Sequence, residues 1–282
     1  QGCHGPIHQG GVGSDLRPDA LKKKERHVLR DAIMNGVPNT AMPQWQHMFS
    51  KDDADGMVDW LMDWKDNTNF KLNLEEIKGT WTKLADRDEL AKKYPNSVDT
   101  KSVLDITFAT ERDASLVDFI DSTTGKVLSR HKAGFAVHVT VTNKKNPRYA
   151  YSISRSGRLT MFDIAAPGQP AIASVQVGFE SRGLAVSPDG KYVIAGNYTP
   201  GGAVLCDAMT LEPLKAYDTS AVINTEGQIE ASRVASLADT PYGPYFAMAL
   251  KDAGRVYLID YSKPGFPIVG DVPNIGKILH DA

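Results

Sequence analysis

Val204-Leu205-Cys206-Asp207 reads as an apolar strand running into an aspartate, and the same signature recurs at Phe119-Ile120-Asp121, Met161-Phe162-Asp163 and Leu258-Ile259-Asp260. The four aspartates are 42, 44 and 53 residues apart. Turn signals stand beside them: Thr124-Gly125, Ser156-Gly157, Pro188-Asp189-Gly190 and Ala253-Gly254. A repeat of about 40–50 residues made of short strands is the signature of a β-propeller blade, a unit that buries its faces only against its neighbours. A β-sandwich with accidental spacing is the competing reading. Residues 102–282 are thus expected to form a β-propeller. They hold about four units, and the last breaks off at His280-Asp281-Ala282, so the sequence is expected to carry only part of a larger propeller.

The opposite end of the chain reads differently. Gln1-Gly2-Cys3-His4-Gly5 has the form of a C-x-x-C-H haem-attachment motif whose first cysteine would precede residue 1. Cys3 would then be a thioether cysteine and His4 the iron ligand of a covalent haem c. A His-bound haem iron commonly takes methionine as its other axial ligand. Thr40-Ala41-Met42-Pro43 offers one, in a loop that Pro43 stiffens. Met34, Met48, Met57 and Met62 are rivals, and His47 is the histidine rival in the same loop. Leu21, Val28, Leu29 and Ile33 are spaced to share a helix face, with Gly36 as the stop. Ser50 is placed to cap a second helix with Asp52 and Asp53 in its first turn, and Met57, Val58, Leu61 and Trp64 as its stripe. The fold class expected is therefore α plus all-β in two domains. A small all-α cytochrome c-type haem domain spans 1–66, a linker with a short helix near 73–79 spans 67–101, and the partial propeller spans 102–282.

Composition sets bounds on function. The 282 residues carry 32 basic and 34 acidic side chains, a net charge of −2, so there is no basic excess for nucleic acid. Lys22-Lys23-Lys24 is balanced by nearby acids and is expected on a solvated helix face. No apolar run reaches membrane-spanning length. Of two cysteines, Cys3 is assigned to haem and Cys206 lies in an apolar strand pattern, so it is expected as a buried thiol. Covalent haem is installed outside the cytoplasm, which makes the bacterial periplasm the expected compartment.

In the propeller region the informative side chains are histidines and arginines. His138 sits in Gly134-Phe135-Ala136-Val137-His138-Val139, a strand with almost no other polar residue; a satisfied core histidine is the bland reading and ligation the sharp one. His280 has Asp281 beside it to orient or charge it. Arg112, Arg155, Arg182 and Arg233 each fall at a strand edge or start. Such arginines are mostly solvated or paired. Several converging at a propeller centre would suit a ligand with many carboxylates, which guanidinium binds bidentately.

In order along the chain, these segments resemble the cytochrome cd1 nitrite reductase family, which includes dihydro-haem d1 dehydrogenase paralogues. Arg112-Asp113-Ala114 resembles a turn whose arginine reaches a haem d1 carboxylate. It lies 26 residues before Gly134-Phe135-Ala136-Val137-His138, which resembles the segment carrying the proximal d1 ligand. Ser154-Arg155-Ser156-Gly157-Arg158, Glu180-Ser181-Arg182 and Ala195-Gly196-Asn197-Tyr198 resemble the next segments, supplying two further arginines and a pocket tyrosine. Leu211-Glu212-Pro213, Ser232-Arg233-Val234-Ala235 and Lys251-Asp252-Ala253-Gly254 continue the order. Leu279-His280-Asp281 resembles the segment whose histidine lies over the distal face. A second distal histidine would come after residue 282. Gly196-Asn197-Tyr198 and Leu250-Lys251-Asp252 lean toward the dehydrogenase paralogues, whereas Ala136-Val137-His138 and Leu279-His280-Asp281 lean toward the reductases.

The resemblance implies an eight-bladed propeller, haem d1 beside haem c, and a homodimer. Its leading functional implication is nitrite reduction to nitric oxide. Haem c would draw electrons from a soluble cytochrome c or cupredoxin, His138 would ligate d1, and His280 would be the general acid. The alternatives are a dihydro-haem d1 dehydrogenase acting in d1 maturation, and a non-catalytic c-type electron carrier with a binding propeller.

Overall fold

The computed structural model describes residues 4, 8, 13–63, 72–95, 103–276 and 278–280. Cys3, Trp64 and Asp281 lie outside the described residues. The chain divides into two compact units, Gln1–Phe70 and Lys71–Ala282. No helix among the described residues is long and apolar enough to cross a membrane.

The first unit holds helices α1 (Pro18–Leu21), α2 (Arg26–Asn35) and α3 (Lys51–Asp63). The periodicity placing Leu21 and Val28 on one helix face is corrected: α1 ends at Leu21 and α2 starts at Arg26, so Leu21 is buried while Val28 is 48% exposed. Lys22–Lys24 occupy the turn between them rather than a helix face. Gly36 does end α2, at φ 70°. Ser50 and Asp53 form a reciprocal cap on α3. Ser50 Oγ accepts from the Asp53 N–H at 3.1 Å, and Asp53 Oδ2 accepts from the Ser50 N–H at 2.9 Å and from its hydroxyl at 2.7 Å. Val58 and Ala54 are the buried residues of α3.

In the second unit, α4 (Leu74–Lys78), strand β1 (Thr82–Lys83) and α5 (Arg87–Lys93) lie in the stretch read from sequence as linker. They are strapped onto the sheets instead. Ile77, Trp81 and Leu90 join the apolar cluster around Tyr151 and Met161. Trp81 Nε1 donates to Thr210 O at 2.9 Å.

The sheets follow a short 3₁₀ turn at Val103–Asp105. Strands β2 (Ile106–Glu111), β3 (Leu116–Asp121) and β4 (Val127–Lys132) form the first. Strands β5 (Val137–Thr142), β6 (Tyr149–Ser154), β7 (Arg158–Asp163) and β8 (Ala171–Gln176) form the second, with β1 added outside β8. Strands β9 (Glu180–Val186), β10 (Tyr192–Thr199), β11 (Gly202–Asp207) and β12 (Pro213–Asp218) form the third. A hairpin of β13 (Val222–Ile223) and β14 (Ile229–Glu230) intervenes. Strands β15 (Val234–Asp239), β16 (Tyr245–Leu250), β17 (Arg255–Asp260) and β18 (Ile268–Val272) form the fourth. All pairings are antiparallel and, apart from β1 with β8, join chain neighbours; β5, β9 and β15 contact one another in sequence, so these are the innermost strands of consecutive blades. The apolar clusters lie between the blades.

The recurring aspartate now has a physical reason. In each full blade it ends the third strand, and its carboxylate accepts backbone N–H groups of the following turn: Ala165 and Ala166 for Asp163, Met209 and Thr210 for Asp207, Ser262 for Asp260. Asp121 does the same for Thr123 and Thr124, but it ends the second strand of its sheet. Hence β2, β3 and β4 correspond to β6, β7 and β8. The wider last spacing contains the β13–β14 hairpin.

Asp163 has a second duty. It is fully buried, and it pairs with Arg148 at 2.7 Å, whose other N–H groups donate to Leu90 O and Tyr94 O at the end of α5. Asp163→Ala is expected to cost about 3–5 kcal/mol, because it strands a desolvated guanidinium. Asp260→Ala, which loses turn bonds and an ion pair to exposed Lys263, is expected to cost about 1–2 kcal/mol. Equal midpoint losses in urea denaturation would refute this ranking.

Candidate functional site

The strand order puts the turn between the second and third strands of each blade at the same end as the start of every innermost strand. Arg112 lies in the β2–β3 turn, Arg155 in β6–β7, Tyr198 at the end of β10 and Lys251 in β16–β17. His138 and Arg182 lie just inside β5 and β9, and Arg233 immediately precedes β15. The fold therefore brings six of the residues read from sequence to one end of the propeller.

A shared irregularity aims them. Val137 pairs with Ser154 and Val139 with Ile153, so His138 is the extra residue of a β-bulge. Gly183 pairs with Gly196 and Ser181 with Asn197, so Arg182 is the extra residue of the next. Ala235 holds the corresponding place in β15, between Val234↔Leu250 and Ser236↔Ala249. A bulge re-aims a side chain out of the alternation of its strand. This corrects the expectation that the apolar sequence around His138 buries it. The ring is among the exposed residues, while Val137 beside it is buried.

The approach to His138 is fixed from both sides. Ala136 takes φ 51°, a left-handed conformation that alanine rarely adopts. Its N–H donates to Ser115 Oγ at 3.1 Å, and its carbonyl accepts from the Arg155 N–H at 3.0 Å. The turns carrying Arg112 and Arg155 thus clamp the entry to β5. Gly157, at φ 83°, lets the Arg155 turn close on the entry to β9; a Cβ there would meet Gly178 O at 1.7 Å.

Around this end the charges are unequal. Glu180 Oε1 accepts from both Arg155 and Arg182, the latter at 3.1 Å. Asp252 is held by Arg233, with Nε donating at 3.0 Å and Nη2 at 2.5 Å. Burial pushes both carboxyl groups up, but the guanidinium hydrogen bonds outweigh it and hold them below the usual range. The Tyr198 ring carries three cations on its faces, with Arg182 Cζ at 4.5 Å, Arg233 Cζ at 5.3 Å and Lys251 Nζ at 5.7 Å. Four cationic side chains, Arg155, Arg182, Arg233 and Lys251, thus gather around two carboxylates, and Arg112 acts on His138 from the β2–β3 turn it shares with Asp113. Two buried polar atoms in the cluster, Arg182 Nε and the Tyr198 hydroxyl, have no partner. Glu180, Asp252 and Lys251 were not singled out as site residues from sequence. The first two stand beside predicted arginines, and only the pairing across turns shows what they do.

Although His138 keeps solvent contact, partial desolvation by the surrounding atoms is the first cause that pushes it below the ordinary histidine value, followed by the charges of Arg182, Arg155 and Arg112; a backbone hydrogen bond with Arg182 opposes this. It is therefore neutral at pH 7 and able to ligate a metal. His280 is tied to the same end through its neighbour: the Leu279 N–H donates to Lys251 O at 3.2 Å. Among the described residues no group of three or more His, Cys, Asp or Glu could hold a metal ion alone. A polycarboxylate ring ligand with one axial histidine fits what is present: surplus cations, orphaned donors and a neutral imidazole.

In the first unit, His4 Nδ1 is 2.7 Å from Ser14 O, and the ring lies against Gly13, where a Cβ would meet it at 2.7 Å. Donating Nδ1–H to a carbonyl is what fixes the tautomer of a metal-binding histidine and leaves Nε2 for the metal. Met42 is half-buried, with its N–H donating to Thr40 Oγ1 at 3.1 Å, whereas its rival Met48 is 62% exposed.

Arg182→Met is expected to raise the titration midpoint of His138 toward the ordinary histidine value, since it removes the largest charge acting on the ring. Two-dimensional NMR of the imidazole carbons against pH reads it; a midpoint unmoved or lowered would show that the two side chains do not share a site.

Comparison with known proteins agrees with this geometry. The chain is 27% identical over 281 residues to the dihydro-heme d1 dehydrogenase of Pseudomonas aeruginosa, covering 100% of this chain and 55% of that protein. It is 26% identical over 310 residues to the nitrite reductase of Stutzerimonas stutzeri, covering 99% of this chain and 52% of that one. The solved structure of dihydro-heme d1 dehydrogenase NirN in complex with DHE superposes with a TM-score of 0.66 at 27% identity, over 97% of this chain and 56% of that chain. Over 61 residues the chain is 43% identical to cytochrome c55X of Pseudomonas aeruginosa, an alignment covering 22% of this chain and 51% of that protein. The chain thus spans about half the length of the curated relatives it matches. Residues 101–282 match the family described as Cytochrome D1 heme domain, and the chain belongs to that family.

Proposed function

We propose that this chain is part of an oxidoreductase that binds a d1-type tetrapyrrole at the propeller end described above and acts as a dihydro-haem d1 dehydrogenase. The observation that carries the reading is the cluster of Arg155, Arg182, Arg233 and Lys251 around two carboxylates and the Tyr198 ring, beside His138. Arg112, Arg155, Arg182 and Arg233 would hold ring carboxylates, His138 would ligate the iron, and Tyr198 would lie along the ring. Two features support the dehydrogenase. Its alignment runs the length of this chain over 281 positions, whereas the nitrite reductase alignment, at 310, opens gaps in this chain. The superposed structure is also a dehydrogenase.

The N-terminal unit would carry haem c, bound through Cys3 with His4 and Met42 as axial ligands. Its likeness to cytochrome c55X supports this, as does the Ser14 contact that presents His4 Nε2. Oxidising a dihydro ring removes two electrons and two protons; a bound haem c would supply one-electron redox chemistry for the electrons, while the protons need a base on the protein. The chain's own residues position the substrate and take up protons. His280, tied to Lys251, is the base placed for that. A soluble cytochrome c or cupredoxin would receive the electrons, and the periplasm and a homodimer complete the proposal.

Nitrite reduction is the second reading. The hydrogen bond that brings the His280 segment to the Lys251 turn favours it, because a reductase needs an acid there. Both readings predict that His138→Ala weakens tetrapyrrole binding while His280→Ala keeps binding but lowers turnover, by about 10²–10⁴-fold. Full-length protein given dihydro-haem d1 and excess oxidised cytochrome c is expected to form haem d1 and reduce two equivalents of acceptor. Nitric oxide from nitrite and a reduced donor, with no oxidation of dihydro-haem d1, would transfer the assignment to the reductase. Met42→Ala is expected to lower the haem c potential; an unchanged potential would remove Met42 from the iron.

A further inference from the structure

We infer that Lys251 is a carboxylate-binding residue of the tetrapyrrole site, an inference that rests on the proposed reading of the propeller end and adds a residue to it. Lysine is seldom buried without an acidic partner. Lys251 is only 8% exposed, yet no carboxylate among the described residues lies within salt-bridge distance of its Nζ. The acid next to it in sequence, Asp252, is already taken: both of its oxygens accept from Arg233, and its oxygen Oδ2 also accepts the Arg233 backbone N–H at 2.8 Å. The other acid of the cluster, Glu180, is shared by Arg155 and Arg182.

What Lys251 does touch is the Tyr198 ring, at 5.7 Å from Nζ. Arg182 and Arg233 stand over the same ring. Three cations sharing one aromatic side chain repel each other, and the ring's quadrupole offsets only part of that. Asp252 acts on Lys251 only from beyond salt-bridge distance, so the ammonium has no direct acidic partner among the described residues. The geometry therefore calls for an anion between Lys251 and the two arginines. A carboxylate on the rim of a ring lying along Tyr198 supplies it, and the ammonium makes a charge-assisted hydrogen bond with it.

The backbone of Lys251 has a separate role. Its N–H donates to Arg233 O at 2.8 Å, and its carbonyl accepts from Leu279. Changing the side chain leaves those bonds in place, so the turn survives substitution.

The test uses full-length protein titrated with iron coproporphyrin, which carries four carboxylates, followed by its absorbance. Lys251→Gln is expected to weaken binding about 10–100-fold, the equivalent of losing one charge-assisted hydrogen bond of about 1.5–3 kcal/mol. Lys251→Arg is expected to stay within a few-fold of the parent. The unliganded Lys251→Gln protein is expected to melt at or above the parent's temperature, because an unneutralised cation has been removed. Arg182→Met serves as the control. If it weakens binding while Lys251→Gln does not, Lys251 is not a carboxylate ligand. If neither variant changes binding, the reading of this end as a tetrapyrrole site fails with it. A Lys251→Gln protein that melts below the parent would overturn the inference too, since the side chain would then be supporting the fold.

Discussion

The innermost strands of this propeller do not stay in register with their neighbours, and the site depends on that. Each of β5, β9 and β15 carries one extra residue at the same end. In a regular strand the side chain at such a position would follow the alternation and pack into the space between blades. A bulge turns it instead toward the opening at the end of the sheets. One blade places a histidine there, the next an arginine, and the third an alanine. The same backbone device thus presents an imidazole, a guanidinium and a methyl group at one end of the sheets. The neighbouring turns then hold the bulged segments, as Ser115 and Arg155 hold Ala136.

Positive charge gathered in this way has an energetic consequence. Two unit charges about 6 Å apart repel by roughly 3 kcal/mol at an effective dielectric of 20. The blades can support that because their interior is apolar and closely packed. Tyr151, Phe119, Phe162 and Phe246 are wholly buried, and Asp163 and Arg148 tie the α5 segment to the second blade. The first unit has no comparable reserve. Among its described residues only Leu21, Ala54 and Val58 are buried apolar side chains, while Met48 and Trp60 are more than half exposed.

The aspartate repeat made the blades legible in sequence, because an aspartate that caps a turn recurs wherever the turn does. It did not reveal that Asp121 ends a second strand rather than a third, since that depends on which strands pair. The apolar run around His138 leaves a core histidine and a ligand both open, and the bulge that exposes the ring leaves no trace in Gly134-Phe135-Ala136-Val137-His138. The stretch from 72 to 95 looked like a linker because its apolar residues are sparse. Trp81, Ile77 and Leu90 are nevertheless enough to seat it on a sheet edge. In α1 and α2 the helical spacing of Leu21 and Val28 was correct in period but spanned a break. Arginines at strand starts could be found by inspection, but their partners could not, because Glu180 and Asp252 act across turns between non-adjacent residues.

Pairing is what separates the structural cations of this chain from those of the site. Arg148 has Asp163 to itself, Arg255 has Asp271 at 2.6 Å, and Arg130 has both Asp118 and Glu111. Each of those guanidiniums is satisfied by the protein. At the propeller end Glu180 serves two arginines, and Arg112 and Lys251 have no carboxylate within salt-bridge distance among the described residues. Lys251, without a direct acid beside the Tyr198 ring that Arg182 and Arg233 also face, leaves the unliganded end electrostatically unfavourable, a feature that favours a polyanionic ligand. The same imbalance restricts the choice of ligand, because a ring with few carboxylates would leave most of the repulsion in place.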